Sequence, residues 1–216
     1  MNTSPTLVLG ALGGQGGAVV RAPARGSATG ATTGVTGAFT LTTPFESGPD
    51  AEVSQGQAIF AAARRCRIKH LVFSSVAGAS KTTGVPHFDS KHRLEIELAH
   101  SDIPYTIVAP SYFFDNALGG EQSIRHGRLE VPMPADRALQ QLDREDHGRF
   151  VAHVLAHPEE FVGQRIELAS ADMAAMWAFL QQRGYQVDLP TLRENYAGIG
   201  WTSFASWAGR LFTPSA

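Results

Sequence analysis

Three glycines near the N-terminus have the spacing that suits phosphate binding. Gly10, Gly13 and Gly16 form a G-x-x-G-x-x-G pattern between an apolar, β-prone run at residues 6–9 and a predicted helix. Glycine permits a tight turn, lets the backbone approach a pyrophosphate and lets the helix pack closely on the strand. The phosphates would then contact unpaired backbone N–H groups of residues 12–16 at the start of the helix. This strand–turn–helix pattern predicts a dinucleotide-binding turn.

A histidine and a lysine four residues apart form a second group that could take part in a reaction. His87 and Lys91 lie in a segment that begins at Pro86 and keeps helical spacing to about His100. Residues at this separation share a helix face, so the two side chains are expected to be neighbours. Histidine titrates near neutrality and could donate a proton to a reacting group. The alternative is that His87 is only the residue with which the helix begins.

Two further polar groups lie in the C-terminal third of the chain. His153 and His157 are four residues apart on a predicted helix, with His147 upstream, and this spacing can bind a metal. No carboxylate pattern completes a ligand set, so a solvated helix face is the favoured interpretation and no metal is predicted. The nearby carboxylates are interpreted as capping and helix-dipole residues. They are Asp143, Glu145 and Asp146.

The elements that must position these residues alternate between strands and helices. Apolar, β-prone runs predict strands at residues 6–9, 38–41, 70–74 and 105–108. Helical spacing predicts helices that begin near Asp50 and at Pro86. This alternation predicts an α/β fold with a doubly wound, Rossmann-like parallel sheet.

In the C-terminal third, the sequence predicts shorter helices and strands. They are an extended segment at 131–134, a helix capped by Asp146 and running through Val154, a strand at 165–168, a helical stripe from Met173 to Leu180, and a last helix that is capped by Thr202. We expect them to form a small α/β lobe on the sheet domain.

The composition indicates a globular chain with one free thiol. The chain has 216 residues, of which 43% are hydrophobic and 18% charged, and its formal net charge is −2. The single cysteine excludes an internal disulfide and a multi-cysteine zinc site. The overall charge does not indicate nucleic-acid binding. No apolar run has the length or pattern of a membrane span or a signal peptide. A cytoplasmic protein is the expectation.

Several motifs in fixed order identify a family resemblance. They are LGALGGQGG at 9–17, TTPF at 42–45, LVFSSVA at 71–77 and PHFDSK at 86–91. With these motifs the sequence resembles the NmrA-like branch of the atypical short-chain dehydrogenase/reductases. The segment PSYFFDN at 110–116 resembles the substrate-side segment of that family.

The resemblance implies a Rossmann domain at 1–130, a substrate or partner lobe at 131–216, and an NAD(P)H site with NADPH favoured over NADH. The implied cofactor-binding residues are Gly10, Leu12, Gly13, Gln15, Gly16, Thr42, Thr43, Pro44, Ser74, Lys91 and Pro110. Lys91 would bond the nicotinamide ribose, and the implied catalytic residues are Lys91, His87 and Ser75. An aromatic run would wall the substrate pocket, although it could equally be core: Tyr112, Phe113 and Phe114.

The sequence departs from the family at a catalytic position. Active short-chain dehydrogenases place a tyrosine four residues before the lysine, where this chain has His87. Two functions follow. One is an NAD(P)H-dependent reductase of a small apolar or aromatic carbonyl, quinone or imine, which the aromatic segment favours. The other is a non-catalytic redox sensor that regulates a protein partner, which the missing tyrosine favours. The reductase is preferred, as a monomer or homodimer.

The interval between the first two predicted strands is short. Gly10 and Phe39 are 39 − 10 = 29 positions apart, whereas the family fold needs two further strands and a helix there. A direct link risks a left-handed crossover. Residues 23–37 are therefore either a cut-down link or joined fragments of a longer chain, and the same alternatives apply to 169–173. We expect breaks or loosely tied loops across 22–38 rather than a continuous compact crossover.

Overall fold

The main sheet of the protein is parallel throughout. The computed structural model describes residues 6–22, 35–81, 83–120, 138–174 and 187–211. Among them, five strands form one sheet, in this spatial order: β1 (Thr6–Val8), β2 (Gly37–Leu41), β3 (His70–Ser74), β4 (Tyr105–Pro110) and β7 (Arg165–Leu168). The predicted doubly wound α/β fold is confirmed.

A smaller sheet lies beside the carboxyl end of β4. In the described part of the chain it has three strands, β5 (Tyr112–Phe113), β6 (Ala138–Leu142) and β8 (Ala171–Ala174). The β6 strand is parallel to β5 and antiparallel to β8. The segment at 169–173, whose nature the sequence leaves open, consists of the two residues that link β7 of the main sheet to β8 of the small one and of the first three residues of β8.

Helices cover both faces of the main sheet. On one face lie α1 (Gly14–Arg21) and α4 (Arg144–Ala156), and on the other lie α2 (Pro49–Arg65) and α3 (Pro86–Ala99). In the described part of the C-terminal third, three further helices follow: α5 (Pro158–Phe161), α6 (Leu189–Asn195) and α7 (Phe204–Leu211). A 3₁₀ helix at Phe114–Gly120 follows β5.

The strands are apolar at nearly every position because both faces of the sheet are buried. On the α1 and α4 face, Phe39 and Val72 pack with Phe150. On the α2 and α3 face, Phe73 packs with Leu94 in a second cluster. The alternation of side chains along each strand thus supplies both cores.

The helices α1 and α4 approach each other closely at a glycine. A Cβ atom added at Gly148 would lie 2.4 Å from both the carbonyl carbon and the carbonyl oxygen of Ala18. Nearby, the Arg21 guanidinium pairs with the Glu145 carboxylate at 2.5 Å. This ion pair ties the first turn of α4 to the last residue of α1.

The face on which α1 lies determines the handedness of a direct connection between β1 and β2. The helices that follow β1 and β2 lie on opposite faces, although β1, β2 and β3 are successive neighbours in the sheet. A direct crossover through α1 would therefore have the opposite hand to the one through α2. Residues 23–34 lie outside the described residues, so the expectation for 22–38 stays a prediction.

Three predictions for the C-terminal third are wrong in detail. The α4 helix is capped by Asp143, whose Oδ1 accepts from the Glu145 N–H at 2.7 Å, and not by Asp146. At α7, the Ser203 hydroxyl accepts from the Ser206 N–H at 3.1 Å, so Thr202 is not the cap. Both predicted caps instead bond each other, since the Thr202 hydroxyl donates to Asp146 at 2.9 Å.

The third correction concerns Met173, which lies in strand β8 rather than at the start of a helix. The remainder of that predicted helix and the segment at 131–134 lie outside the described residues, as does the predicted domain boundary at 130. Beyond this boundary, β7 is a strand of the main sheet and α4 packs on α1. Within the described segments, no helix is both long and apolar enough to cross a membrane.

We predict that Gly148→Ala destabilises the protein by about 1–3 kcal/mol, because the added methyl group must push α1 and α4 apart. Chemical denaturation of the variant and the wild type measures this difference. Gly198→Ala is the matched control, since a Cβ atom there meets no atom within 4 Å. Equal stability of the Gly148 variant and the wild type would contradict the close approach of the two helices.

Candidate functional site

The predicted glycine turn connects β1 to α1 in a compact arrangement. Gly10 has a φ of +73°, a conformation that favours glycine, and its carbonyl accepts from the Gly13 N–H at 2.8 Å. A Cβ atom at Gly16 would lie 2.3 Å from the Gly10 carbonyl oxygen. Glycine is therefore required at Gly10 and Gly16 by backbone conformation and by close approach.

The start of α1 has the properties of an anion site. Gly13 precedes the helix and provides no side-chain cap, and the first turn contains no acidic residue. Leu12, in the same turn, is fully exposed. The first N–H groups of the helix therefore have no capping side chain, and the positive end of the helix dipole faces solvent beside them. These residues fit a phosphate group.

Two adjacent serines at the end of β3 point to different partners. The Ser74 hydroxyl donates to Gln15 Oε1 at 2.7 Å, which ties the strand to the first turn of α1. Ser75, predicted to be catalytic, is buried and donates to the Glu95 carboxylate of α3. Arg165 donates to the other oxygen of Glu95 at 2.8 Å. Ser74 therefore faces the glycine turn, and Ser75 faces a structural ion-pair network.

Lys91 lies in a buried polar cluster. Its ammonium group donates to the Thr42 carbonyl at 2.6 Å and to the Thr42 hydroxyl at 2.9 Å, and it pairs with Glu52 at 2.8 Å. Ser90 donates to the other Glu52 oxygen at 2.5 Å. Burial lowers the pKa of Lys91, and the Glu52 carboxylate opposes this shift. Lys91 is thus no solvated helix lysine, and its three N–H groups have acceptors inside the protein.

His87 lies one turn before Lys91, in aromatic surroundings. Its ring centroid is 4.7 Å from that of Phe88 and 5.9 Å from that of Phe45. Burial is the main cause that lowers the pKa of His87, so the ring is neutral at pH 7. A neutral imidazole is a weak proton donor.

His147 is a site residue that the sequence analysis assigned to a solvated helix face, and that assignment is wrong. The ring is fully buried between Phe39 and Phe113, with centroid distances of 5.9 and 5.7 Å. Its Nε2 lies 3.4 Å from the Ser74 hydroxyl oxygen. Burial lowers its pKa to about 3. The signal was available, because His147 precedes Phe150, Val151 and Val154 at helical spacing and so belongs to the apolar stripe of α4.

Arg144 is a second residue that sequence reasoning missed. Its guanidinium group lies directly against Gly14 in the first turn of α1, where an added Cβ atom would be 2.3 Å from Nη1. The same group pairs with the Asp115 carboxylate at 2.6 Å. No local pattern indicates this contact, because Gly14 and Arg144 are far apart in the chain.

The aromatic run after β4 divides between core and surface. Phe114 is fully buried and packs against Phe204 and Trp207, so it belongs to a core cluster. Tyr112 and Phe113 are half-buried, and burial raises the pKa of Tyr112. Only these two remain available to wall a substrate pocket.

The other predicted site residues lie at the carboxyl ends of β2 and β4. Thr43 and Pro44 are half-buried just after β2, and Pro110 is the buried last residue of β4. At the distant end of α4, the His153 and His157 rings are 4.4 Å apart. The described residues include no cluster of three or more His, Cys, Asp or Glu that could hold a metal ion.

The strand ends, the glycine turn and the buried lysine define a Rossmann-type nucleotide-binding fold, and the sequence comparison identifies the family. Residues 24–176 match the NmrA-like family, so the chain belongs to that family.

Solved structures support the same fold. Crystal structures of NmrA, a negative transcriptional regulator, match with TM-scores of 0.77 for a double variant and 0.73 for a complex with NAD, at 18% and 16% identity. Each alignment covers 98% of this chain and 96% of NmrA. Triphenylmethane reductase from Citrobacter sp., complexed with NADP(H), matches with a TM-score of 0.66 at 16% identity, covering 96% of this chain and 88% of that chain. An NADPH-dependent quinone oxidoreductase from Escherichia coli matches with 0.64 at 18% identity, covering 93% and 87%.

Burial of His147 predicts a loss of stability in mild acid. The pKa is about 3 in the folded protein against an ordinary value of 6.5, so below about pH 6.5 the unfolded chain binds a proton that the folded protein does not. Stability therefore falls as the pH falls, by up to about 1.4 kcal/mol per pH unit for this one group. His147→Gln removes the contribution of this group and leaves that of His70, whose pKa burial lowers to about 4. Urea unfolding between pH 7 and pH 4.5 measures the difference.

His100→Gln is the control, because His100 is exposed at the end of α3. The control is expected to keep the wild-type pH dependence. A His147 variant with the same pH dependence as the wild type would show that the buried ring does not exclude a proton.

Proposed function

We propose that the protein binds NAD(P)(H) with its phosphates at the start of α1. The observation that carries the proposal is the approach of Gly16 to the Gly10 carbonyl, beside helix N–H groups that no side chain caps. Family membership and the dinucleotide complexes of the structural relatives support it. NADPH is the proposed preference over NADH, because both reductase relatives are described with NADP(H) or NADPH.

We further propose that the protein is a reductase in which the nicotinamide supplies a hydride to a small aromatic substrate. Tyr112 and Phe113 are half-buried aromatic side chains that follow β4, where sheets of this class bind ligands. Lys91 and Thr42 lie at the carboxyl end of β2, on the same edge of the sheet. In this proposal Lys91 and Thr42 hold the nicotinamide ribose. The bond from Lys91 to the ribose replaces one of the hydrogen bonds that Lys91 makes inside the protein.

The protonation states narrow the substrate class. His87 is neutral at pH 7, and the ammonium N–H groups of Lys91 are bonded inside the protein. A simple ketone becomes a strongly basic alkoxide when it accepts a hydride, so its reduction needs a good proton donor. A quinone becomes a weakly basic hydroquinone anion, and an iminium ion becomes a neutral amine. Quinones and iminium compounds are therefore the proposed substrates.

The alternative function is a redox sensor that binds the dinucleotide and regulates a protein partner. The hydrogen bonds of Lys91 favour this alternative. Its N–H groups already have acceptors inside the protein, so the ammonium group is held in place without a substrate. The structural relative NmrA is described as a negative transcriptional regulator. A sensor would bind NADP(H) without turnover on any substrate.

We predict anaerobic oxidation of NADPH with quinones and cationic imines, and little or none with isolated ketones and aldehydes. The reason for this difference is that neither His87 nor Lys91, among the described residues, is a good proton donor. Absorbance at the NADPH band measures the turnover of each compound. His87→Gln is expected to retain quinone reduction to within about threefold, since the proton comes from water in the variant and in the wild type alike.

One outcome would contradict the reductase, and another would contradict the proposed substrate class. Saturable NADPH binding without turnover on the whole panel would support the sensor instead. A preference for ketones that His87→Gln abolishes would show that His87 is the proton donor and would overturn the proposed substrate class.

A further inference from the structure

The contact between Arg144 and the glycine turn joins two positive groups. The guanidinium lies against Gly14, in the first turn of α1, where the helix dipole also contributes positive potential. The first turn of α1 contains no acidic residue that would offset this charge. A cation at this end of a helix is unfavourable unless an anion lies nearby.

Asp115 supplies the nearby anion. Its Oδ2 pairs with Arg144 at 2.6 Å, and the two side chains are 18% and 33% exposed. Its Oδ1 accepts from the indole N–H of Trp207 at 3.2 Å, which attaches the carboxylate to α7. The carboxylate therefore lies next to the place where a phosphate would be bound, and it holds the cation that the phosphate would attract.

We propose that Arg144 is a ligand of the cofactor phosphates and that Asp115 is the anion it exchanges on binding. The inference rests on the proposed dinucleotide function and adds a charged residue to the glycine turn. A guanidinium presents paired N–H donors that match two phosphate oxygens as well as they match a carboxylate. The phosphates replace Asp115 as the partner of Arg144, while the Trp207 hydrogen bond keeps Asp115 in place.

The exchange predicts opposite effects for the two partners. Arg144→Gln removes a phosphate contact and is expected to weaken NADPH binding by about tenfold or more, the equivalent of one charge-assisted hydrogen bond. Asp115→Asn removes the competing anion and keeps an oxygen that can accept from Trp207. It is expected to tighten NADPH binding by about threefold, because the ion pair no longer has to be broken. An anchor that is merely structural would weaken binding in both variants.

Titration calorimetry of NADPH and NADP⁺ with the wild type and three variants tests the proposal. Arg21→Gln is the matched control, because the Arg21 guanidinium pairs with Glu145 and not with Asp115, and losing it changes the net charge equally. The expected order of affinity is Asp115→Asn, then the wild type and Arg21→Gln together, then Arg144→Gln.

Each other outcome has a defined meaning. Equal affinities for Arg144→Gln and Arg21→Gln, or weaker binding by Asp115→Asn, would overturn the role of Arg144 and leave the dinucleotide site intact. Absence of saturable binding by the wild type would overturn the proposed function together with this inference. Circular dichroism and thermal unfolding of every variant show that the differences come from folded protein.

Discussion

The site depends on two close backbone contacts of α1, one with the glycine turn and one with α4. Gly16 places the helix against the Gly10 carbonyl, and Gly148 of α4 lies against the backbone of Ala18. No side chain separates these elements, so the first turns of α1 and α4 lie side by side. Arg144 reaches the glycine turn, and the buried ring of His147 reaches Ser74, for this reason. Larger residues at these glycines would move both side chains away from these positions.

The end of β3 distributes its two serines between the faces of the sheet. Ser74 is bonded to Gln15 on the α1 side, and Ser75 to Glu95 on the α3 side. Lys91 of α3 is likewise paired inside the protein, with the Glu52 carboxylate. Among the described residues of the site, neither His87 nor Lys91 is set up to transfer a proton to a substrate. This is compatible with hydride acceptors that need no proton from the protein, and with a sensor.

The sequence predicted the strands and the glycine turn because these are local patterns. The run at His70–Ser74 is buried at every position, and prolines mark the start of α3 and the end of β4. Contacts between distant segments were not predictable in this way. Arg144 meets Gly14, and Ser75 meets Glu95, only because helices dock on the sheet, and no spacing in the sequence encodes that docking. The burial of His147 lies between these two cases, because no local pattern showed its contacts but the helical period of α4 indicated that the ring is buried.

The most direct test follows backbone amide resonances during a titration with NADPH. In ¹H–¹⁵N correlation spectra of labelled protein, the amides of residues 12–16 are expected to shift in a saturable manner, because phosphate oxygens accept from these N–H groups. Amides on the distant half of α4, around His153, are expected to keep their positions. Saturable shifts confined to other segments, with residues 12–16 unchanged, would contradict the account of the glycine turn as the dinucleotide site.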